Sequence, residues 1–164
     1  MEPICAHAFT TVYPKNVSKL HTEVILHANG SALKCLALWD TGATNSAIAH
    51  RVSADLGMIP CGIVNVFTPS GAAHYNTYVV DLELNNGPII SDLVVSDSEI
   101  SKQGIDILIG MDVISQGDFA VSNAHGHTVF TFRIPAQETV DFVKKAKVQR
   151  LLKRGKSPKK NKRS

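Results

Sequence analysis

One carboxylate, Asp40, follows directly after the apolar run "CLALW" (residues 35–39) and precedes Thr41, Gly42 and Ala43. An ionised carboxylate at the end of a buried strand is costly to desolvate unless hydrogen bonds or a second group share its charge. Such a group can serve as a general acid or a general base. The alternative is a turn aspartate that caps the following backbone. Its position after an apolar strand favours a functional role.

Two further segments support this interpretation. The run "DILIGMDVI" (residues 106–114) places apolar residues and a glycine before a short helical pattern, and a long hairpin pattern with Gly71 near its tip precedes it. Over about residues 20–134, the order and spacing of these segments resemble the retroviral-type (retropepsin-like) aspartic proteases. The "DFAV" and "FRIP" segments (118–121 and 132–135) are similar to the bacterial branch of that family.

The resemblance implies an aspartic endopeptidase that uses neither a metal nor a cofactor. Peptide hydrolysis needs a base to activate water and an acid to protonate the carbonyl or the leaving amine, and two close carboxylates sharing one proton supply both. The chain has a single Asp-Thr-Gly tripeptide. We therefore expect a two-fold symmetric homodimer that pairs Asp40 with its symmetry mate. By resemblance, Thr41 would lock the two active-site loops together, and Gly42 would allow a tight turn and close approach of the substrate backbone.

The same resemblance predicts where a peptide or protein substrate would bind. The hairpin tip around Pro69–Ala73 would close over the substrate as a flap, and a mostly apolar pocket would flank Asp40. The predicted substrate-binding residues are Ala43, Ile48, Ile63, Pro69, Ser70, Gly71, Ala72, Ala73, Ile109 and Gly110.

The chain departs from the viral pattern at three positions. Retroviral members usually carry an Asp two residues after the first glycine and an Arg just after the second-signature glycine, which form an ion pair. Here these positions hold Thr44 and Met111, so no charge is left unpaired. Trp39 stands where the family more often has a smaller aliphatic residue. We expect the dimer contacts to differ from those of viral members.

Strand patterns dominate the rest of the chain, and parallel strand-helix-strand alternation is missing from the pattern. These features predict an all-β fold, a retropepsin-like acid-protease barrel with one or two short helices. Ile48, Val52 and Leu56 recur at helical spacing, which predicts a helix capped by Ser46 and ended by Gly57. A final hairpin is predicted around residues 123–126.

Charge divides the 164-residue chain. Residues 144–164 hold 11 basic and no acidic residues, whereas residues 1–143 hold all 14 acidic residues and 6 basic ones. We therefore divide the chain into a protease domain (1–137) and a basic C-terminal helix with a disordered tail (138–164). The tail would bind a polyanion weakly, or would serve only as a solvated end that maintains solubility.

Location and redox state follow from similar patterns. The N-terminal residues do not resemble a secretory signal, and no run of about 18 apolar residues is present. We therefore expect a cytoplasmic protein with no membrane partner. The three cysteines, Cys5, Cys35 and Cys61, form no CxxC pair and are predicted to be reduced core residues.

The main rival interpretation is a noncatalytic binding module with the same fold, which would hold a peptide in its cleft and dock a polyanion on its tail. Asp40 argues against it, because two carboxylates that repel each other add nothing to a binder. Other candidate groups are read as structural. Asp106 and Asp112 are predicted turn or cap residues, Ser46 and His50 a structural pair on one helix, and His125 and His127 loop residues without metal-ligand spacing.

Overall fold

The computed structural model describes residues 7–68, 71–85 and 87–155. These ranges contain ten strands and three α-helices. The strands are β1 (His7–Val12), β2 (Leu20–Ala28), β3 (Ser31–Trp39), β4 (Ala47–Ala49), β5 (Gly62–Thr68), β6 (Gly71–Glu83), β7 (Ile89–Ser98), β8 (Ile107–Ile109), β9 (Asp118–Ser122) and β10 (Val129–Ile134). The helices are α1 (His50–Asp55), α2 (Met111–Ile114) and α3 (Phe142–Gly155).

Seven of the strands form one sheet in the order β2-β3-β8-β4-β7-β6-β5, and β2 also pairs with β6. This extra pairing, between residues 25–27 and 81–83, closes the sheet into a barrel. The interior is filled by alternate aliphatic residues of the strands, as expected when one face of each strand is buried. Fully buried examples are Leu26, Leu82, Val95 and Ile107. The predicted all-β barrel with short helices is confirmed.

The β2–β3 hairpin sets the position of the strand that leads into Asp40. Its turn consists of Asn29 and Gly30, both at positive φ (51° and 72°), which is the conformation that a two-residue hairpin turn requires. The turn fixes the pairing from Ala28 opposite Ser31 to Leu20 opposite Trp39. Because side chains alternate along a strand, this pairing directs Trp39 into the core, where only 4% of its surface is exposed.

A second, three-stranded sheet packs against the barrel through aromatic rings. It has the order β1-β10-β9. The Trp39 ring lies 4.9 Å from that of Phe132 and 5.1 Å from that of Phe130, measured between centroids. Its indole Nε1 donates a hydrogen bond to Thr22 Oγ1 at 2.8 Å, so the ring is buried with its polar atom satisfied. The unusual tryptophan therefore joins the two sheets.

The predicted helix start at Ser46 is wrong. Residues 47–49 form β4, which pairs in parallel with β7 and antiparallel with β8, so sheet hydrogen bonds replace a first helical turn. The helix begins at His50, and its N-cap residue Ala49 has no side chain that could accept a capping bond. Ser46 and His50 therefore do not share a helix. The final hairpin is confirmed, with Phe119 opposite Phe132.

The C-terminal helix begins later than the predicted residue 138. Asp141 caps it, accepting hydrogen bonds from the backbone N–H groups of Val143 and Lys144 at 2.9 and 3.1 Å. The predicted disordered tail covers residues 155–164; Gly155 is the last residue of the helix, and residues 156–164 lie outside the described residues. Within the described ranges, no helix combines the length and hydrophobicity needed to cross a bilayer.

The cysteines differ in environment. Cys35 is buried on β3, as predicted, but Cys61 is exposed, so the prediction that it is a core residue is wrong. Cys61 comes before β5, at the surface, and its Sγ lies 3.3 Å from the carbonyl oxygen of Thr77. Cys5 lies outside the described residues. Desolvation by burial raises the pKa of the Cys35 thiol to about 11.

This difference predicts selective alkylation. The thiolate is the reactive form, so a buried thiol whose pKa is about 11 stays protonated at the roughly pH 8.5 where ordinary cysteines react. Iodoacetamide should modify Cys61 in the native protein and spare Cys35, as read by peptide mass spectrometry. Both should react after unfolding in urea. Equal native rates for the two would contradict the burial of Cys35.

Candidate active site

The strand order of the barrel brings the two signature segments together. β8 lies between β3 and β4, parallel to the first and antiparallel to the second. The loop of residues 40–46, which joins β3 to β4, must therefore pass over the end of β8. Asp40 begins this loop and Gly110 follows the end of β8, so topology alone makes them neighbours.

Backbone hydrogen bonds fasten the loop in this position. Asp40 N–H donates to the carbonyl oxygen of Ile109 at 2.9 Å. In the other direction, Met111 N–H donates to Ala43 O at 2.8 Å, and Asp112 N–H donates to Thr44 O at 3.1 Å. These hydrogen bonds therefore hold both ends of the segment that crosses the end of β8.

Gly110 permits the crossing because it has no side chain. A Cβ at this position would lie 2.7 Å from the backbone carbon and 2.8 Å from the oxygen of Asn45, closer than real contacts allow. Gly110 is buried beneath the loop. The sequence predicts that Gly110 binds substrate, but in this position it supports the base of the loop.

Ser46 and Asp112 complete the fastening through side chains. Ser46 is fully buried, and its N–H and Oγ–H donate to the two Asp112 carboxylate oxygens, each at 2.8 Å. The same Ser46 Oγ accepts a hydrogen bond from Gly110 N–H at 3.0 Å. Asp112 thus links α2 to the loop. The prediction that it is a turn or cap residue covers only part of its role. Ser46 is part of this network rather than a helix cap.

Asp40 itself is partly exposed and held by its own loop. Gly42 N–H donates to Asp40 Oδ1 at 2.8 Å, and Ala43 N–H donates to Asp40 O at 3.2 Å. Gly42 is not among the described glycines with positive φ, so conformational freedom is not what requires a glycine here. A Cβ on Gly42 would lie 3.1 Å from Asp40 Oδ1. The small size of Gly42 leaves room for the carboxylate.

A groove of ≈ 530 Å³ lies beside Asp40. This volume falls within the range of about 300–1,000 Å³ that is typical of ligand sites. Its lining consists of five apolar residues, from β2, β3 and β9, and five polar ones. The lining residues are Ser18, Lys19, Leu20, Leu38, Trp39, Asp40, Thr41, Gln103, Phe119 and Val121.

The other predicted pocket residues divide by burial. Ala43 is half-buried in the loop, and Ile63 is 71% exposed on β5. Ile48 and Ile109 have no exposed surface, because β4 and β8 direct them into the barrel interior. The prediction that these two line a pocket is therefore wrong; they support the strands beneath the loop.

The predicted flap is described in part. Gly71, Ala72 and Ala73 begin β6 and pair with the end of β5, which closes the hairpin between these strands. Gly71 has a φ of 126°, in the range that favours glycine. Pro69 and Ser70 lie outside the described residues.

Two other buried carboxylates stabilise the fold through contacts with residues outside the loop that carries Asp40. Asp106 accepts a hydrogen bond from Leu36 N–H at 2.9 Å and forms an ion pair with Arg51, so it connects β3, β8 and α1 rather than capping a turn. Asp97 lies 3.1 Å from both the Tyr78 hydroxyl and His50 Nδ1. Among the described residues, no group of three His, Cys, Asp or Glu side chains is placed to hold a metal ion.

The network around Ser46 predicts a measurable stability difference. Ser46→Ala removes the acceptor of Gly110 N–H and one donor to Asp112, both at buried positions, so it should lower the free energy of unfolding by about 1–3 kcal/mol. Ser115→Ala, at an exposed position just after α2, is the matched control and should change it little. Urea unfolding measures both. Equal stabilities for the two variants would contradict the network.

Comparison with solved structures supports the fold described above, whereas comparison with known sequences finds no match. No protein-family model matches the sequence, and no curated protein sequence matches it either. The structure is similar to a retropepsin-like aspartic protease from Rickettsia conorii, at 12% sequence identity and a TM-score of 0.51, covering 84% of this chain and 100% of that one.

Two viral structures also match. EIAV protease complexed with the inhibitor HBY-793 has 18% identity and a TM-score of 0.44, covering 60% of this chain and 86% of that one. Simian Foamy Virus (mac) protease has 21% identity and a TM-score of 0.43, covering 58% and 92%. Of the three, the Rickettsia structure, whose whole length is covered, identifies the fold. The chain therefore has the retropepsin-like fold, as its sequence resemblance predicted.

Proposed function

We propose that the protein is an aspartic endopeptidase that acts as a homodimer, with Asp40 of two subunits and an activated water at its centre. The observation that carries the proposal is a partly exposed carboxylate at the start of a glycine loop that hydrogen bonds hold in place, beside a groove lined by apolar and polar residues in equal number. Fastening matters because a catalytic group must keep its position while the substrate reacts.

The chemistry requires two carboxylates with different protonation. Two such groups in contact share one proton, because both cannot be ionised at close range without strong repulsion. The ionised member takes a proton from water, which attacks the carbonyl carbon of the peptide bond. The protonated member donates to the carbonyl oxygen, and the leaving amine is then protonated as the bond breaks. The donation from Gly42 N–H to Asp40 Oδ1 orients the carboxylate for these steps.

The second Asp40 would be supplied by strand addition at β9. In the described part of the chain β9 pairs only with β10, so it is an edge strand of its sheet. Two side chains of β9, Phe119 and Val121, line the same groove as Asp40. A second copy that pairs along β9 about a two-fold axis would cover these apolar side chains and bring both Asp40 carboxylates to the axis.

The substitutions at Thr44 and Met111 suit this arrangement. Neither carries a charge, and both positions are fastened by backbone bonds between the loop and α2 instead of by an ion pair. The dimer therefore depends on apolar burial and strand pairing. Thr41, which lines the groove next to Asp40, would contact the partner loop.

Substrate would lie across the paired Asp40 carboxylates and beneath the β5–β6 hairpin. Ala43, Ile63 and the flap residues 69–73 are the proposed contacts, with Gly110 supporting the loop from below. Five of the ten residues that line the groove beside Asp40 are apolar, so apolar side chains next to the cleaved bond are the expected preference.

Replacing the carboxylate tests the activity. Asp40→Asn cannot shuttle the proton, so turnover of a diverse peptide pool should fall by at least about 10²-fold, while the variant stays folded and dimeric. Asp55→Asn, at an exposed position on α1, is the matched control and should keep full activity. Mass spectrometry of the pool at several pH values, with and without a pepstatin-type inhibitor, measures both. Full turnover by Asp40→Asn would exclude the proposed dyad, and peptide binding without cleavage by the unaltered protein would favour the binding module.

Charges placed on the two edges of the three-stranded sheet test the dimer. Val121, on β9, is 39% exposed, and Val12, on the opposite edge strand β1, is 63% exposed. Val121→Asp should produce monomers by sedimentation and abolish turnover, because it buries a charge at the proposed contact. Val12→Asp should do neither. A dimeric, active Val121→Asp variant would show that β9 is not the contact.

A further inference from the structure

Helix α3 has the charge of a surface that binds anions. Its 14 residues include six cations and no acidic side chain, and residues 156–164 add five more cations. Residues 1–143, in contrast, have a net charge of −8. The cations in α3 are Lys144, Lys145, Lys147, Arg150, Lys153 and Arg154.

The same helix exposes apolar side chains. Phe142 is 71% exposed, Val143 63%, Val148 55% and Leu152 63%. By the helical period, Phe142, Val148 and Leu152 share one side of the helix, whereas Val143 lies on the opposite side, next to Arg150. Solvated helices of this kind usually place charged or polar residues at such positions.

The segment that precedes the helix is tied to the folded domain. Asp118, the first residue of β9, accepts hydrogen bonds from Gln137 and Glu138 N–H at 2.8 and 3.2 Å and forms an ion pair with Arg133. The bond from Gln137, and then that from Arg133, holds the pKa of Asp118 below its ordinary value. Asp118 therefore stays ionised, and keeps these hydrogen bonds, at pH values where an ordinary aspartate would begin to be protonated.

We propose that α3 lies on an anionic lipid surface, with its cations at the headgroups and its apolar side chains at the boundary with the acyl chains. Any polyanion would satisfy the cations, but a nucleic acid would leave the apolar side of Phe142, Val148 and Leu152 in water, whereas a bilayer interface accommodates both. Pairing of two α3 helices is disfavoured by repulsion between six cations on each. A membrane surface would then be a partner of the protein, contrary to the expectation of no membrane partner. It is independent of peptidase activity.

Vesicle flotation with the full-length protein tests the proposal. The protein should float with vesicles of phosphatidylcholine and phosphatidylserine and not with phosphatidylcholine alone. Changing Lys144, Lys145 and Lys147 to Gln should weaken this binding about 100-fold. Changing Val148 and Leu152 to Gln keeps the charge and a good helix former, and should weaken it roughly tenfold or more.

A matched control changes three exposed lysines of the folded domain, Lys15, Lys34 and Lys102, to Gln and should alter binding little. The same variants are titrated against duplex DNA. The proposal is overturned if the unaltered protein does not float with anionic vesicles, or if the Val148→Gln, Leu152→Gln variant floats as well as it does. Tight DNA binding that ignores the apolar substitutions, without flotation, would identify α3 as a nucleic-acid contact instead.

Discussion

The passage of residues 43–45 over Gly110 is the contact on which the candidate site depends. Because β8 lies between β3 and β4, the chain after Trp39 has to cross the end of β8 to reach its next strand. A side chain on Gly110 would collide with the backbone of Asn45, so the crossing is possible only at a glycine. Once the loop lies there, its position is fixed by three backbone bonds and by Ser46, which contacts both Gly110 and Asp112. Asp40 is thereby placed by the barrel as a whole rather than by its own turn.

Trp39 extends this dependence to the second sheet. The residue directly before Asp40 packs against Phe119, Phe130 and Phe132 of the three-stranded sheet, and its indole is held by Thr22. Phe119 also faces the groove beside Asp40. The Trp39 ring thus links β9, the proposed contact with a second copy, to Asp40, the proposed catalytic carboxylate. A smaller aliphatic residue at position 39 would leave a cavity between the sheets, which explains in packing terms why this chain has a tryptophan there.

Features that depend on residues close together in the sequence were predicted correctly. The fold class and the last hairpin followed from spacing of this kind. Features that depend on which strands meet in space were missed. Ile48 and Ile109 look like pocket residues by their proximity to the signatures, but β4 and β8 are central strands, so both side chains are enclosed. Ser46 precedes a helical pattern, yet the pairing of β4 with two strands overrides the start of that helix. The link from Asp112 to Ser46 spans 66 residues, and neither local propensity nor periodicity reports on it.

The central claim is that one active site is built from two chains. Calorimetric titration with a pepstatin-type inhibitor counts such sites directly, because the inhibitor occupies the cleft that the paired Asp40 carboxylates form. The account predicts saturation at one inhibitor molecule per two chains, and loss of binding at protein concentrations where sedimentation detects monomers. Saturation at one inhibitor per chain, with the same affinity for the monomer, would contradict it.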